Sequence, residues 1–71
     1  MNVQEVVNQA IKQLQEKGYS DITDYRQDSL KYRVLWVRVS PVSEQCITIH
    51  TVATKFSPKR ILDAVARMPK R

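Results

Sequence analysis

Lys31-Tyr32-Arg33-Val34-Leu35-Trp36-Val37-Arg38-Val39 is followed by Ser40-Pro41-Val42-Ser43-Glu44-Gln45 and then by Cys46-Ile47-Thr48-Ile49-His50-Thr51-Val52-Ala53. Six of the first nine residues are Tyr, Val, Leu or Trp, composition that suits a pleated, half-buried surface. The last eight are β-branched through their middle, and the six between them carry a proline and two serines, which favour a turn. We read two strands, 31–39 and 46–53, paired as an antiparallel hairpin. Side chains alternate between faces along a strand, so Leu35, Val37, Val39, Ile47, Ile49 and Ala53 share one face, expected to point toward covering helices. Tyr32, Val34, Trp36 and Arg38 beside Thr48, His50 and Val52 form the other. That second face is too apolar for ordinary exposure, and contiguous apolar patches mark contacts. It is expected to be covered by a second subunit or to serve as a binding platform. Because Val34-Leu35-Trp36-Val37 is apolar on both sides, the two faces are interchangeable at this stage.

Upstream, Val3, Val6, Val7, Ala10, Ile11 and Leu14 recur at the spacing of a one-sided helix, predicted over 3–17. Asn2 suits its cap and Glu5 the reciprocal position. Gly18 supplies the left-handed residue after the last turn, with Tyr19 placed to fold back onto Leu14. The polar stretch 21–29 reads as a loop containing a short edge strand near 22–26. Downstream, Ser57 and Pro58 announce a second helix over 58–68, with Phe56 stapled to Ile61 and Pro69 as the stop. Ile61, Leu62, Val65 and Ala66 form its apolar stripe. The expected fold is α+β, in the order α-(β)-β-β-α, with both helices on one face of a small antiparallel sheet.

The 71 residues include one Cys, one Gly and three Pro, with 12 Lys+Arg against 7 Asp+Glu for a net charge of +5. They fit one compact domain, 1–71, with 69–71 as a basic C-terminal tail, and exclude a doubly wound nucleotide-binding fold or a repeat array. No apolar run reaches the roughly 20 residues of a membrane span, and the first residues lack the pattern of a secretory signal. A single thiol builds no disulfide framework, so a reduced, cytoplasmic setting is the simplest expectation.

Charge divides the chain. Residues 1–30 carry three basic and five acidic groups, a balance of −2, whereas 31–71 carry nine basic and two acidic groups, a balance of +7. A basic surface on a small domain attracts polyanions. Lys59 and Arg60 fall in the first turn of the second helix, where the macrodipole disfavours cations by about 0.3–1 kcal/mol each. A phosphate docked there would meet both side chains and free backbone N–H groups; the competing reading is a solvated helix start. Lys55, Arg67, Lys70, Arg71 and Arg38 extend the candidate phosphate-binding set. Tyr32, Trp36 and His50 are candidates for a subunit interface or for base stacking, with core packing as a further reading of Trp36.

Chemistry finds less support. Cys46 and His50 lie four strand residues apart, about 13 Å, beyond nucleophile–base contact. One His and one Cys make no transition-metal set, and Asp21, Asp24 and Asp28 lack the Gly and closing Glu of a calcium loop; turn formation and charge balance suit them better. We expect no catalytic residue, no cofactor and no metal.

Two families are similar in shape. Helix–three strands–helix resembles the double-stranded RNA-binding domain, with Lys55, Lys59 and Arg60 standing loosely for its basic loop, although its Lys-Lys-x-Ala-Lys run is absent. The HicA-type mRNA-cleaving toxins look similar through the helix ending in Gly18-Tyr19. Their Gly-Ser-His signature is missing, the nearest run being Asp28-Ser29-Leu30, which removes the residue needed for cleavage. Both likenesses are of topology. The expected function is a non-enzymatic module, homodimeric, that binds DNA or RNA through the second helix and the hairpin. The alternative is a protein-interaction module, an adaptor or inhibitor, docking through the face around Trp36.

Overall fold

In the computed structural model, residues 2–26 and 31–71 are described. Helix α1 (Val3–Glu16) begins where the Asn2 Oδ1 accepts the Glu5 N–H at 2.8 Å. It ends on the pair of bonds that a left-handed glycine makes possible: the Gly18 N–H donates to the Gln15 carbonyl at 3.0 Å and the Tyr19 N–H to that of Leu14 at 3.1 Å. Gly18 has φ +96°, and a Cβ there would meet the Arg71 carbonyl oxygen at 3.2 Å, so both backbone conformation and close approach call for glycine.

The short edge strand is present as β1 (Ile22–Arg26), antiparallel to β2 (Tyr32–Ser40), which pairs in turn with β3 (Ser43–His50). The Asp28-Ser29-Leu30 run lies outside the described residues. Expected order and fold class hold: an α+β fold, α-β-β-β-α, with a three-stranded antiparallel sheet in the order β1-β2-β3. Helix α2 (Pro58–Arg67) starts on Ser57, whose hydroxyl accepts the Arg60 N–H at 3.4 Å, and has Pro58 at its first position.

One strand is displaced from its expected position. The turn is the two-residue Pro41-Val42 link, with a bulge between Arg38 and Ser40, so β3 begins three residues earlier than the composition suggested. It also ends earlier. Tyr32 pairs with His50 and the Thr51 N–H reaches the Lys31 carbonyl at 2.9 Å, the last ladder bond among the described residues. Val52 and Ala53 therefore leave the sheet for a turn closed by the Lys55 and Phe56 N–H groups on the Val52 carbonyl. Ala53 is exposed and belongs to neither face.

Parity assigns the faces correctly. Leu35, Val37, Ile47 and Ile49 are buried against Val6, Val7, Ala10 and Leu14 of α1 and Ile61 and Val65 of α2, with Tyr19 and Met68 closing the core. Each fully buried aliphatic side chain contributes about 1.5–3 kcal/mol. Both helices thus cover the odd-numbered face, and the even-numbered face of the sheet is left outside.

The chain ends are tied together beside Gly18. The Lys17 ammonium donates to the Ala66 carbonyl at 2.9 Å and to that of Met68, placing a cation where the α2 carbonyls need one. The Tyr19 hydroxyl donates to the Pro69 carbonyl, and the Arg71 N–H to that of Lys17 at 2.7 Å. Residues 69–71, expected as a basic tail, are docked on the end of α1.

Candidate nucleic-acid interface

Helix α2 lies beside the open edge of β3, and the flank it turns there carries Arg60, Ala64 and Arg67, spaced for one side of a helix. Two adjoining depressions run along this seam. One is lined by Thr48, His50, Lys55, Ser57, Arg60, Ile61 and Arg67. The other, lined in part by Gln45, Cys46 and Ala64, shares Thr48, Arg60 and Ile61 with it. Neither lining includes a carboxylate.

Lys55, Arg60 and Arg67, a loop residue and two from α2 about two turns apart, therefore converge on one groove, and His50 joins them from the end of β3. Among the described residues, the ion pairs are those of Arg33 with Asp24 and of Arg38 with Asp21 and Glu44. Among the described residues, none of Lys55, Lys59, Arg60, Arg67, Lys70 or Arg71 has a carboxylate partner. Uncompensated cations around a shared concavity keep their potential for an incoming anion.

The remaining predicted cations do not join this cluster. Arg38 sits at the hairpin end of β2, six strand residues from Tyr32, or about 20 Å. Its guanidinium is held by Glu44 at 3.1 Å and Asp21 at 3.7 Å, which removes it as a free phosphate contact. Arg71 turns its guanidinium onto the Arg38 carbonyl at 3.3 Å. Lys70 is exposed at the same end as Gly18, and Lys59 is exposed on α2 without lining the groove. The expectation of free backbone donors at the α2 start is also revised: Pro58 has no N–H and the Ser57 hydroxyl takes that of Arg60. Side chains must supply most of any phosphate contact here.

The outer sheet face borders the groove. Register places Thr23 beside Trp36 and Tyr25 beside Val34, and on the other side Cys46 beside Trp36, Thr48 beside Val34 and His50 beside Tyr32. The Tyr32 and His50 rings meet edge-on with centroids 6.3 Å apart. Trp36 is 42% exposed and Tyr25 51%, so Trp36 is not a core residue. Thr48 and His50 belong both to this face and to the groove. Parity of numbering was enough to put Thr48 with Trp36 on one face; Tyr25 joins through the β1 register, for which the sequence carries no signal.

A second polar constellation was missed. Arg33 is buried on the helix side of β2, where its Nε and Nη2 donate to the Asp24 carboxylate and its Nη1 donates to Gln4 Oε1 at 2.9 Å. Asp24 is thus a strand residue joining β1 to β2 and α1, not a turn former, while Asp21 acts on Arg38 and Asp28 lies outside the described residues. Among the described residues no group of three or more His, Cys, Asp or Glu side chains is placed to hold a metal ion, and no helix is long and apolar enough to cross a membrane. Cys46 is a free, exposed thiol. No family model, curated protein or solved structure matches the chain.

Proposed function

We propose that this chain is a small, non-enzymatic nucleic-acid-binding module that grips phosphates in the groove between β3 and α2. The observation that carries this reading is the convergence of Lys55, Arg60 and Arg67, with His50, on a concavity lined by no carboxylate while the acidic groups of the sheet are engaged by Arg33 and Arg38. A fold selected only for stability would place acids, not Lys59 and Arg60, at the α2 start. Contact is to the backbone of the polyanion, so affinity comes mainly from counterion release and carries little sequence information.

The test is a polarisation titration of a mixed-sequence oligonucleotide across a salt series, comparing wild type with Lys55→Ala/Arg60→Ala/Arg67→Ala. Wild-type binding is expected to fall steeply with salt. The triple variant should lose up to about 2–3 units of the log–log salt slope, at roughly 0.7–0.9 per phosphate contact. Binding by the wild type that is absent or insensitive to salt overturns the reading, as does an unchanged slope in the variant. In that event the adaptor or inhibitor alternative, docking through the Trp36 face, takes its place.

A further inference from the structure

We infer that the ligand of this groove is single-stranded nucleic acid, whose bases lie on the outer face of the sheet while its phosphates follow the cationic seam. This rests on the groove reading and adds the class of substrate to it.

The argument begins with the shared border. Thr48 and His50 line the groove and, by register, stand beside Val34 and Tyr32 on the outer face. A backbone held by Arg60 and Arg67 therefore runs alongside that face, with Tyr32 at one end of β2 and Trp36 four residues on, about 13 Å away. Tyr25 lies one strand further out, beside Val34. Three aromatic rings on one sheet face, two of them about half exposed, offer stacking surfaces to bases that have left their own stack.

A duplex cannot use such a platform. Its bases are stacked inside and present only their edges in the grooves, where an exposed Trp or Tyr ring finds no π-face. Nor does α2 present its arginine flank away from the sheet, as a helix reading a major groove presents its base-contacting side. Ile61 and Val65 fix it in the core, and its Arg60–Arg67 flank is turned toward β3. Charge complementarity and ring exposure thus agree on one occupant: an extended polyanion carrying unpaired bases.

Trp36 is the only tryptophan, so its emission reports on the outer face directly. The full chain is titrated at low salt with a mixed-sequence single strand of about 12 nucleotides, within the usual range of site sizes, and with the same strand annealed to its complement. Single strand should quench Trp36 emission and bind more tightly than duplex. By polarisation, Trp36→Thr should weaken single-strand binding about tenfold, within the range of one lost base stack, and leave duplex binding within about twofold. Threonine keeps strand propensity at this exposed position, and Tyr25→Thr provides an independent second variant on β1. Trp36→Phe should retain most of the affinity.

Three results overturn the inference. Equal binding of single strand and duplex with Trp36 emission unmoved removes the platform and leaves the groove reading standing. Absence of salt-sensitive binding to either form removes both. Emission that follows protein concentration and ignores the oligonucleotide identifies a second copy of this chain as the occupant of the outer face.

Discussion

Removing the Arg33 guanidinium would leave the Asp24 carboxylate, itself mostly covered, without the two donors that face it. The Asp24 side chain is 28% exposed, so losing its charge-assisted donors costs part, not all, of the penalty of stranding a buried ion. Arg33→Met is therefore expected to destabilise the fold by about 1–3 kcal/mol, seen as a lower urea midpoint with little change in m. Adding Asp24→Leu should recover most of that loss, because an apolar pair of similar volume is often as stable as the ions it replaces. An Arg33→Met variant as stable as wild type would refute this account of the β1–β2–α1 junction. Residue 33 shows how far sequence reading reaches. Alternation along β2 already places it on the same side as Leu35, so its burial was legible. Its partner was not, because the short edge strand expected near 22–26 came without a register, and only the pairing of Ile22 with Val37 aligns Asp24 near Arg33.

The two helices, whose ends carry strong signals, were read to within one residue of their bounds, and the weakly marked edge strand near 22–26 also fell where β1 lies. Asn2, Gly18, Ser57 and Pro58 each act through a local bond or a local dihedral, and their bonds are present; β3 was misplaced because strand ends depend on what the neighbour offers, and composition does not encode where β2 runs out. Within α2 the same local rules set stability against binding. Lys59 and Arg60 both oppose the dipole, yet only Arg60 lines the groove. Lys59→Glu and Arg60→Glu should each stabilise the chain by about 0.3–1 kcal/mol at low ionic strength, measured by urea unfolding. Arg60→Glu should weaken oligonucleotide binding clearly more than Lys59→Glu does, by polarisation at the same salt. Equal losses would mean that net charge alone attracts the ligand and the groove has no special part in it.

At the scale of the molecule, the two halves of the chain have separate electrostatic roles. Of the acidic N-terminal half, Asp21 and Asp24 neutralise Arg38 and Arg33, leaving cations of the C-terminal half to face outward along β3 and α2. The +7 balance of residues 31–71 was legible from counting; which cations converge depends on packing that counting does not carry. Arg38 is held by Asp21 and Glu44, Arg71 turns onto the Arg38 carbonyl, Lys70 lies at the Gly18 end and Lys59 stands off the groove, so three of the seven predicted side chains meet there. A chain of 71 residues buries only a small core, and its single cysteine builds no disulfide within the chain, so stability should depend strongly on occupancy. A ligand that binds only the folded state at a hundredfold excess over its Kd adds about 2.7 kcal/mol. For a domain of this size each kcal/mol moves Tm by roughly 4–8 °C. Saturating single-stranded oligonucleotide at low salt is therefore expected to raise Tm by about 10–20 °C in a thermal-shift series. With the proposed attraction to phosphates, the same oligonucleotide in high salt should give almost no shift, and the Lys55→Ala/Arg60→Ala/Arg67→Ala variant should respond weakly even at low salt. An equal shift at both salt concentrations would mean that stabilisation comes from apolar contact with the outer face and not from the cationic seam.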